Sequence, residues 1–309
     1  MEAKKLIKLS GKLKTKNFTS CLIKNTDLIF TDLENWVIVK NQCPGMEDAV
    51  YEDRKVFLQL LCAGESTANL GSTEVEKFPL FKTEDLHYLG KLGPEDMKKI
   101  RTAQDFICSD PLRPVMNGVF FNAGELCAAN AHYLYWKRMG LEFNLSFIVP
   151  FKTLELLDGE GWSISVGEKY VVFDSFYYTV VGTLIEGRYP AYQMVIPKNY
   201  LVTWKFSCKE VYSILEGLRP FVNKSTNLVA ITPEGLEVTD PDRNIHIKKS
   251  YNFELSGNIS DARWGANINF FLTALKGLDD EVTLKYTQPN RAMIFNDERL
   301  LMPVYLGAV

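Results

Sequence analysis

The sequence has few of the residues that usually mark catalysis or metal binding. It contains three histidines, His87, His132 and His246, and its six cysteines are scattered with no close pair. Without closely spaced cysteines and histidines, neither a disulfide framework nor a zinc site is indicated. Neither glycine-rich phosphate-binding signature, Gly-x-Gly-x-x-Gly or Gly-Lys-Ser/Thr, occurs. These absences favour a binding protein or scaffold over an enzyme, and they call for no cofactor.

One hydrolytic alternative stays open. Cys127 and His132 are close in sequence, and a cysteine beside a histidine can act as nucleophile and base. No local motif supports this pair, and a buried free thiol is the commoner state of a cysteine in an apolar run. His246 alternates with Ile245 and Ile247, which is typical of the exposed side of a strand. We keep the Cys127–His132 hypothesis as a control, for which activity lost in Cys127→Ser is the test.

Long apolar runs are also missing. No window approaches the length that crosses a bilayer, and Met1–Lys5 lacks the apolar core of a secretion signal. With 46% hydrophobic and 24% charged residues and a net charge of −3, the composition is that of an ordinary soluble protein. We therefore expect a cytoplasmic protein without membrane association. The net charge neither indicates nor excludes nucleic-acid binding, since the placement of the basic residues decides that.

A unit of two strands, a turn and a third strand occurs three times. The clearest copy, residues 116–136, has an apolar run from Val119, the turn Asn122-Ala123-Gly124 and a break at Asn130. Two further copies lie at 18–40 and 228–248, with breaks at Asp32 and Asp240, so the unit recurs about every 100 residues. A short amphipathic segment follows each copy, at 54–61, 151–157 and 268–278.

This order predicts an α+β fold built from three copies of one domain, at 1–90, 91–199 and 200–309. The second copy starts with a helix after Gly93-Pro94, with Met97, Ile100, Ala103 and Ile107 as its buried stripe. The third starts with a helix capped by Ser207 and ended by Pro220. We interpret the lysine-rich opening, Lys4–Lys16, as a solvated mobile end, and Gly64–Glu74 as a loop.

Several segments resemble the sliding clamp of bacterial DNA replication, the β subunit of DNA polymerase III. They are Leu112–Val119, Glu186–Tyr192 with Val195–Pro197, Ala266–Asn267 and Leu301–Leu306. In that family three domains of one fold, with helices inside and antiparallel sheets outside, form half a ring. Two chains close head to tail around duplex DNA. The resemblance implies a homodimeric, non-enzymatic processivity factor whose partners are duplex DNA, a DNA polymerase and a clamp loader.

The resemblance assigns two surfaces. A ring that slides needs basic side chains facing the phosphates and no base readout. Our DNA-facing candidates are Lys98, Lys99, Arg101, Lys152, Lys209, Lys224 and Lys276, with Lys12 and Lys14 added at lower weight. For each of them singly, an ordinary lysine or arginine on a solvated helix is an equally good explanation.

The second surface is the pocket through which family members hold short linear peptide motifs of their partners. Carried over by position, it comprises Arg113, Met116, Ala131, His132, Tyr133, Leu134, Pro190, Met194, Val195, Asn267, Phe270, Pro289, Arg291, Met302, Pro303, Val304, Tyr305 and Leu306. For Met116 and Leu134, a plain core role is about as good an explanation. The family commonly has His-Arg before this leucine and arginine before the terminal leucine, whereas this chain has His132-Tyr133 and Tyr305. A more aromatic pocket with a different peptide preference follows.

The first domain departs most from the family. Between Leu61 and Phe78 the chain is too short for the strands expected there. That region includes an edge through which one family subunit meets the next, and Phe221 lies where the third domain would meet it. The alternative is therefore a clamp-like module that binds peptides but does not close a ring on DNA.

Overall fold

The structure is a computed structural model that describes residues 3–13, 15, 18–65, 67, 71–72, 74–82, 84–159, 161–257, 262–304 and 306. The chain divides into two compact units. Unit 1 comprises Met1–Gln104, Asn117–Leu126 and Arg138–Gly187, and unit 2 comprises Asp105–Met116, Cys127–Lys137 and Arg188–Val309. The predicted basic residue Lys14 and the predicted pocket residue Tyr305 lie outside the described residues.

The elements follow one another in three repeats. The first contains α1 (Ala3–Lys12), β1 (Cys21–Lys24), β2 (Asp27–Thr31), β3 (Asn35–Val39), β4 (Ala49–Tyr51), α2 (Arg54–Ala63) and β5 (Gly71–Ser72). The second contains β6 (His87–Lys91), α3 (Pro94–Gln104), β7 (Gly118–Asn122), β8 (Glu125–Ala129), β9 (Tyr133–Arg138), β10 (Ser146–Pro150), α4 (Phe151–Glu155), β11 (Ser163–Val166), β12 (Tyr170–Asp174) and β13 (Tyr178–Thr183). The third contains β14 (Val202–Ser207), α5 (Cys208–Leu218), β15 (Leu228–Thr232), β16 (Gly235–Asp240), β17 (Ile245–Lys249), β18 (Phe253–Gly257), β19 (Trp264–Asn267), α6 (Ile268–Leu275), β20 (Glu281–Tyr286), β21 (Met293–Phe295) and β22 (Arg299–Leu301).

The three predicted strand units are confirmed as β1–β3, β7–β9 and β15–β17, and the predicted helices as α2 to α6. The turn after β7 uses positive φ at Ala123 and Gly124, as its sequence requires. Ser207 caps α5 by accepting a hydrogen bond from the amide of Glu210. Helix α3 ends at Gln104, so Ile107 lies beyond it and only part of the predicted stripe is helical.

One prediction about the amino-terminal region is wrong. The lysine-rich opening is not a mobile end, because Ala3–Lys12 forms α1 with Leu6, Leu9 and Leu13 buried. Leu6 and Leu9, three residues apart, lie on one face of the helix and Leu13 directly follows its end, while the lysines occupy the other faces. The buried guanidinium of Arg54 donates to the carbonyls of Leu13 and Thr31 and so ties the end of α1 to the sheet.

The repeats are joined by strand pairing. In unit 1 the third strand of the first repeat, β3, pairs antiparallel with the last strand of the second, β13. In unit 2 the third strand of the second repeat, β9, pairs antiparallel with the last strand of the third, β22. The same junction therefore occurs twice along the chain.

Unit 1 contains an antiparallel sheet in the order β5-β4-β1-β2-β3-β13-β12-β11-β6. One face of it is covered by the segment Val75–Phe81, which packs on Trp36 and its neighbours. The indole nitrogen of Trp36 donates to the carbonyl of Pro79 at 2.7 Å, and Phe81 contacts the Trp36 ring edge-on at 5.8 Å. We call Val75–Phe81 the strap.

Unit 2 contains strands in the order β9-β22-β21-β20-β14-β18 and a four-stranded sheet in the order β17-β16-β15-β19. Helices α5 and α6 bury Val211, Leu215, Phe271 and Leu275 in one core with Trp204, Trp264 and Tyr286 of the strands. This core fixes the strand ends that carry the candidate site. The predicted boundaries of the three domains stay predictions.

The first repeat lacks strands that the other two contain. After the second helix, the second repeat continues with β11–β13 and the third with β20–β22. After α2, the described residues before β6 form only the two-residue strand β5 and a 3-10 turn at Val75–Lys77. The predicted shortness of this region thus corresponds to a three-stranded segment that the described part of the first repeat does not have.

Candidate functional site

The residues predicted to form the peptide pocket gather mainly at one end of the unit 2 strands. Leu301 lies opposite both Tyr133 of β9 and Met293 of β21. Antiparallel pairing therefore brings the turn before Tyr133, the segment after Leu301 and the turn before Met293 to the same end. Ala131 and His132, Met302 to Val304, and Pro289 to Arg291 occupy these three segments.

An aromatic cluster stands at this end. The imidazole of His132 stacks on Phe270 with ring centroids 4.9 Å apart, and Tyr133 meets the same phenylalanine edge-on at 5.2 Å. The buried Phe106 also meets Tyr133 edge-on, with ring centroids 5.3 Å apart. Because Phe270 and Tyr133 are only half-buried, the cluster offers an apolar surface to solvent.

The turn before β9 is held by one side chain. The Asn130 Oδ1 atom accepts hydrogen bonds from the amides of His132 at 3.1 Å and Tyr133 at 3.2 Å. Ala131 adopts a φ of +72°, a conformation that costs a non-glycine residue about 1 kcal/mol or more and is repaid by such local bonds. Asparagine is suited to this position, and it fixes the direction in which His132 points.

The segment after β22 is held by two backbone hydrogen bonds. The amide of Met302 donates to the carbonyl of His132 at 2.7 Å, and the amide of Val304 donates to Gly265 at 2.8 Å. A Cβ atom on Gly265 would lie 2.7 Å from both Leu306 and the Val304 carbonyl. Glycine at 265 is therefore what lets this segment approach β19.

Exposure separates the predicted pocket residues into two groups. Met194 is 85% exposed, Val195 55% and Met302 39%, whereas Leu134 is 2% and Met116 9% exposed. The first group can contact a ligand directly, and the second belongs to the core beneath. The remaining described members are placed as follows: Arg113, Pro190 and Arg291 are exposed, Pro289, Pro303, Val304 and Leu306 are half-buried, and Asn267 caps α6 through its side chain.

Sequence reasoning missed three residues of unit 2. Leu112 and Leu201 are large apolar residues exposed to 89% and 54%. Their sequence positions, Leu112 between two prolines and Leu201 at the start of a strand, could have indicated exposed apolar side chains. Arg299 is the third. It is 2% exposed and its guanidinium donates to the carbonyls of Ala274 and Lys276 at 2.8 Å each.

Arg299 supports the cluster from below. Its guanidinium lies 5.6 Å from the Phe106 ring and 5.7 Å from the Tyr135 ring. Burial lowers the pKa of Arg299, and the neighbouring Glu298 carboxylate, 3.5 Å away, opposes that shift. The arginine satisfies the last carbonyls of α6, which is the helix that carries Phe270.

The predicted DNA-facing residues of unit 1 fall into two groups. Lys12 donates to the carbonyl of Glu155, Arg101 donates to Gly159 at 2.6 Å, and Lys99 is bound to the buried Asp96 at 3.2 Å. These three charges are engaged within the protein, at or near the ends of short helices. Lys98 and Lys152 are exposed and have no ion-pair partner among the described residues.

In unit 2 the same division applies. Lys276 pairs with Asp105 at 2.8 Å, and the mostly exposed Lys209 lies 3.8 Å from Asp280. Lys224 is exposed, and within the described part of the chain no carboxylate pairs with it. Lys98, Lys152 and Lys224 are thus the candidates whose charge is directed to solvent. We call them the free lysines.

The structure offers little to the hydrolytic alternative. Cys127 is buried on β8, and its neighbour Tyr189, whose pKa is raised by burial, also lies in the core. His132 is exposed with its ring on Phe270. A nucleophilic cysteine needs a partly exposed, electropositive setting, which Cys127 does not have.

Two kinds of feature are absent from the described residues. No group of three or more histidine, cysteine, aspartate or glutamate side chains is arranged to hold a metal ion in the described ranges. None of the described helices combines the length and apolar character needed to cross a membrane.

The fold defined by these strands and helices is that of the DNA sliding clamps. A C. crescentus β sliding clamp, solved with polyethylene glycol bound, matches with a TM-score of 0.84 and 15% identity over 99% of this chain and 98% of that one. A Bartonella birtlesii sliding clamp bound to griselimycin matches with a TM-score of 0.79 and 16% identity over 99% of both chains.

Curated relatives agree with the fold. The β sliding clamp of Borreliella burgdorferi is 27% identical over 224 residues, which are 64% of this chain and 57% of that protein. The β sliding clamp of Staphylococcus aureus is 23% identical over 271 residues, 81% of this chain and 71% of the relative. No family model matches the chain. The chain is a divergent relative of the bacterial β sliding clamps, as its motifs predict.

Proposed function

We propose that the protein is a sliding clamp, a non-enzymatic processivity factor that holds a DNA polymerase and other partners on duplex DNA. The observation that carries this proposal is the match of nearly the whole chain to solved β clamps, together with the internal junction that occurs twice. A clamp acts where DNA is replicated, so we place the protein in the cytoplasm.

The test of the DNA function is retention on circular duplex. Because a ring held by topology cannot leave a closed circle, we expect the clamp, loaded with its loader, to persist on nicked circular DNA at high salt. Cutting the circle is expected to release it. Equal release from circular and linear DNA would contradict encirclement.

The exposed cluster at His132, Phe270 and Met302 supports peptide capture by the same protein. Exposed and half-buried aromatic and thioether side chains at a strand end suit an extended peptide with apolar anchors. A neighbouring clamp structure with griselimycin bound supports ligand binding by this fold. The exposed Arg113 and Arg291 favour peptides that carry acidic residues beside those anchors.

Peptide capture is tested by substitution in the cluster. We expect Met302→Ala and Phe270→Ala each to weaken binding of a fluorescent peptide from the cognate polymerase by at least tenfold, because each removes apolar contact area. Phe176→Ala is the matched control, since Phe176 is 86% exposed in unit 1. Unchanged binding by both cluster variants would remove this site from the proposal.

The shortened first repeat favours a second candidate, a clamp-like module that does not close a ring by itself. Both junctions join the third strand of one repeat to the last strand of the next repeat's three-stranded segment. The corresponding third strand of the third repeat, β17, lies at a sheet edge, and the described part of the first repeat has no such segment to offer it. Phe221, 41% exposed, remains available to an interface in the third repeat.

Sedimentation across a dilution series separates the two candidates. A species near twice 35.2 kDa that persists on dilution supports the homodimeric ring, with the shortened repeat still making an interface. A monomer at every concentration supports the module, which then needs another protein to hold it on DNA.

A further inference from the structure

The junction between the first and second repeats is built like the one that carries the candidate peptide site. In unit 2 the carbonyl of His132 accepts from the amide of Met302 at 2.7 Å. In unit 1 the carbonyl of Glu34 accepts from the amide of Thr183 at 2.9 Å. Both bonds close the junction where a third strand starts and a last strand ends.

The turns that precede β3 in unit 1 and β9 in unit 2 match as well. The Asp32 Oδ1 atom accepts hydrogen bonds from the amides of Glu34 and Asn35 at 3.2 and 2.7 Å. The Asn130 Oδ1 atom does the same for the amides of His132 and Tyr133. Leu33 has a φ of +77°, and Ala131 one of +72°.

The segments after the last strands take the same course. Ile185 donates to the carbonyl of Ile148 in β10 at 3.0 Å, as Val304 donates to Gly265 in β19 at 2.8 Å. Leu184 therefore holds the position in unit 1 that Pro303 holds in unit 2. Unit 1 thus has counterparts of three backbone features of the candidate peptide site: the bond that closes the junction, the turn before the third strand and the bond that holds the segment after the last strand.

A cavity of about 570 Å³ opens at this position in unit 1. Its apolar walls come from Leu145, Phe147, Val166 and Leu184. Phe147 and Val166 are buried and form the floor, while Leu145, 39% exposed, adds apolar surface to a rim that also contains exposed polar residues. The volume lies within the usual range for ligand pockets.

The charge of the cavity is opposite to that of the unit 2 site. Asp85 and Glu168 line it and are exposed, and among the described residues neither has an ion-pair partner. Glu84 also lines it, but its carboxylate is fixed by the amides of Lys169 and Tyr170. The exposed acids are therefore free to bind a cation.

We propose that this cavity is a second peptide site, for an extended segment of a partner protein in which basic residues flank an apolar one. The apolar residue lies between Leu145 and Leu184, and the basic residues pair with Asp85 and Glu168. This goes beyond the proposed function and requires neither ring closure nor DNA. The two sites select by charge, so one chain can hold two different partners at once.

The test uses fluorescent heptapeptides in which lysine alternates with leucine, or glutamate with leucine. We expect the lysine peptide to bind the full chain and the Asp85→Lys, Glu168→Lys double variant to lose at least tenfold in affinity. Leu145→Ser, which removes the apolar rim, is expected to weaken the same binding severalfold. Phe270→Ala is expected to leave it unchanged, which separates this site from the unit 2 site.

The matched control is Glu47→Lys with Glu65→Lys, two exposed acids elsewhere in unit 1 that give the same change in net charge. If this control weakens the lysine peptide as much as the cavity variant does, the attraction is general and the site is wrong. No binding of the lysine peptide to the unaltered chain also overturns it, and so does a loss of glutamate-peptide binding in the Asp85→Lys, Glu168→Lys variant. Circular dichroism of each variant confirms that the comparison is between folded proteins.

Discussion

The buried side chain of Arg299 caps the C-terminal end of α6. Its guanidinium donates hydrogen bonds to the carbonyls of Ala274 and Lys276. These carbonyls lie at the end of α6, where no further helical turn supplies backbone donors. In Arg299→Met those buried carbonyls lose their donors, and we expect the free energy of unfolding to fall by about 2–4 kcal/mol. Urea unfolding followed by tryptophan fluorescence measures this. The exposed Arg291→Met serves as control, with an expected change within about 0.5 kcal/mol.

Gly265 makes a second prediction at the same scale. An alanine there puts Cβ 2.7 Å from the Val304 carbonyl, so the segment after β22 has to move away. We expect amide hydrogen exchange at Val304 to become at least tenfold faster, and binding of the polymerase peptide to weaken with it. Gly217→Ala in α5 has open space around its Cβ and is expected to leave both unchanged. Slow exchange retained in Gly265→Ala would contradict the proposed packing.

The residue types at the candidate sites were predictable from sequence, but their partners were not. Lys99 lies on α3 as predicted and Lys276 directly follows the last residue of α6, yet Lys99 binds the buried Asp96 and Lys276 binds Asp105. A lysine that is not in the apolar stripe can face water or a distant carboxylate, and local periodicity does not distinguish the two. Only the folded chain separates the free lysines from the others.

Among the elements, the strap was the least predictable. Most of its seven residues are apolar, but the segment is too short to show a strand or helix period, and its partner, Trp36, lies about 40 residues earlier in the chain. The strand units and helices were predictable because their patterns are local. The pairing of β3 with β13 was not, since nothing near either strand encodes its partner.

The strap carries a prediction of its own. In Trp36→Ala the strap loses a hydrogen bond at 2.7 Å and an edge-on aromatic contact with Phe81. We expect trypsin to cleave after Lys77 and Lys82 at least tenfold faster, because local detachment exposes the backbone. The exposed Tyr177→Ala is the control and is expected to cleave at the original rate. An unaltered rate in Trp36→Ala would show that the strap is held by other contacts.

For the whole molecule, the free lysines give the prediction that bears on DNA. Reversing Lys98, Lys152 and Lys224 to glutamate removes three charges that have no described partner. If they face phosphates, each lost contact lowers the slope of log affinity against log salt by about 0.9. We expect the triple variant to show a slope smaller by about 2–3 in fluorescence anisotropy with duplex DNA, and a shorter residence on circular DNA.

The control for that experiment carries the same change in net charge on exposed strand residues. Its three positions are Lys91, Lys205 and Lys249. An equal loss in both triple variants would mean that DNA responds to total charge and not to an oriented surface.

The junction of β3 with β13 also affects how the chain folds while it is being synthesised. At the usual pace of synthesis, on the order of 10 s separates the appearance of Val39 from that of Thr183. During that interval β3 has an open edge with Trp36, Val37 and Ile38 in it, because its partner does not yet exist. The sheet edge at β3 therefore stays unpaired until β13 has been synthesised. A nascent chain stalled before residue 178 is expected to bind chaperones.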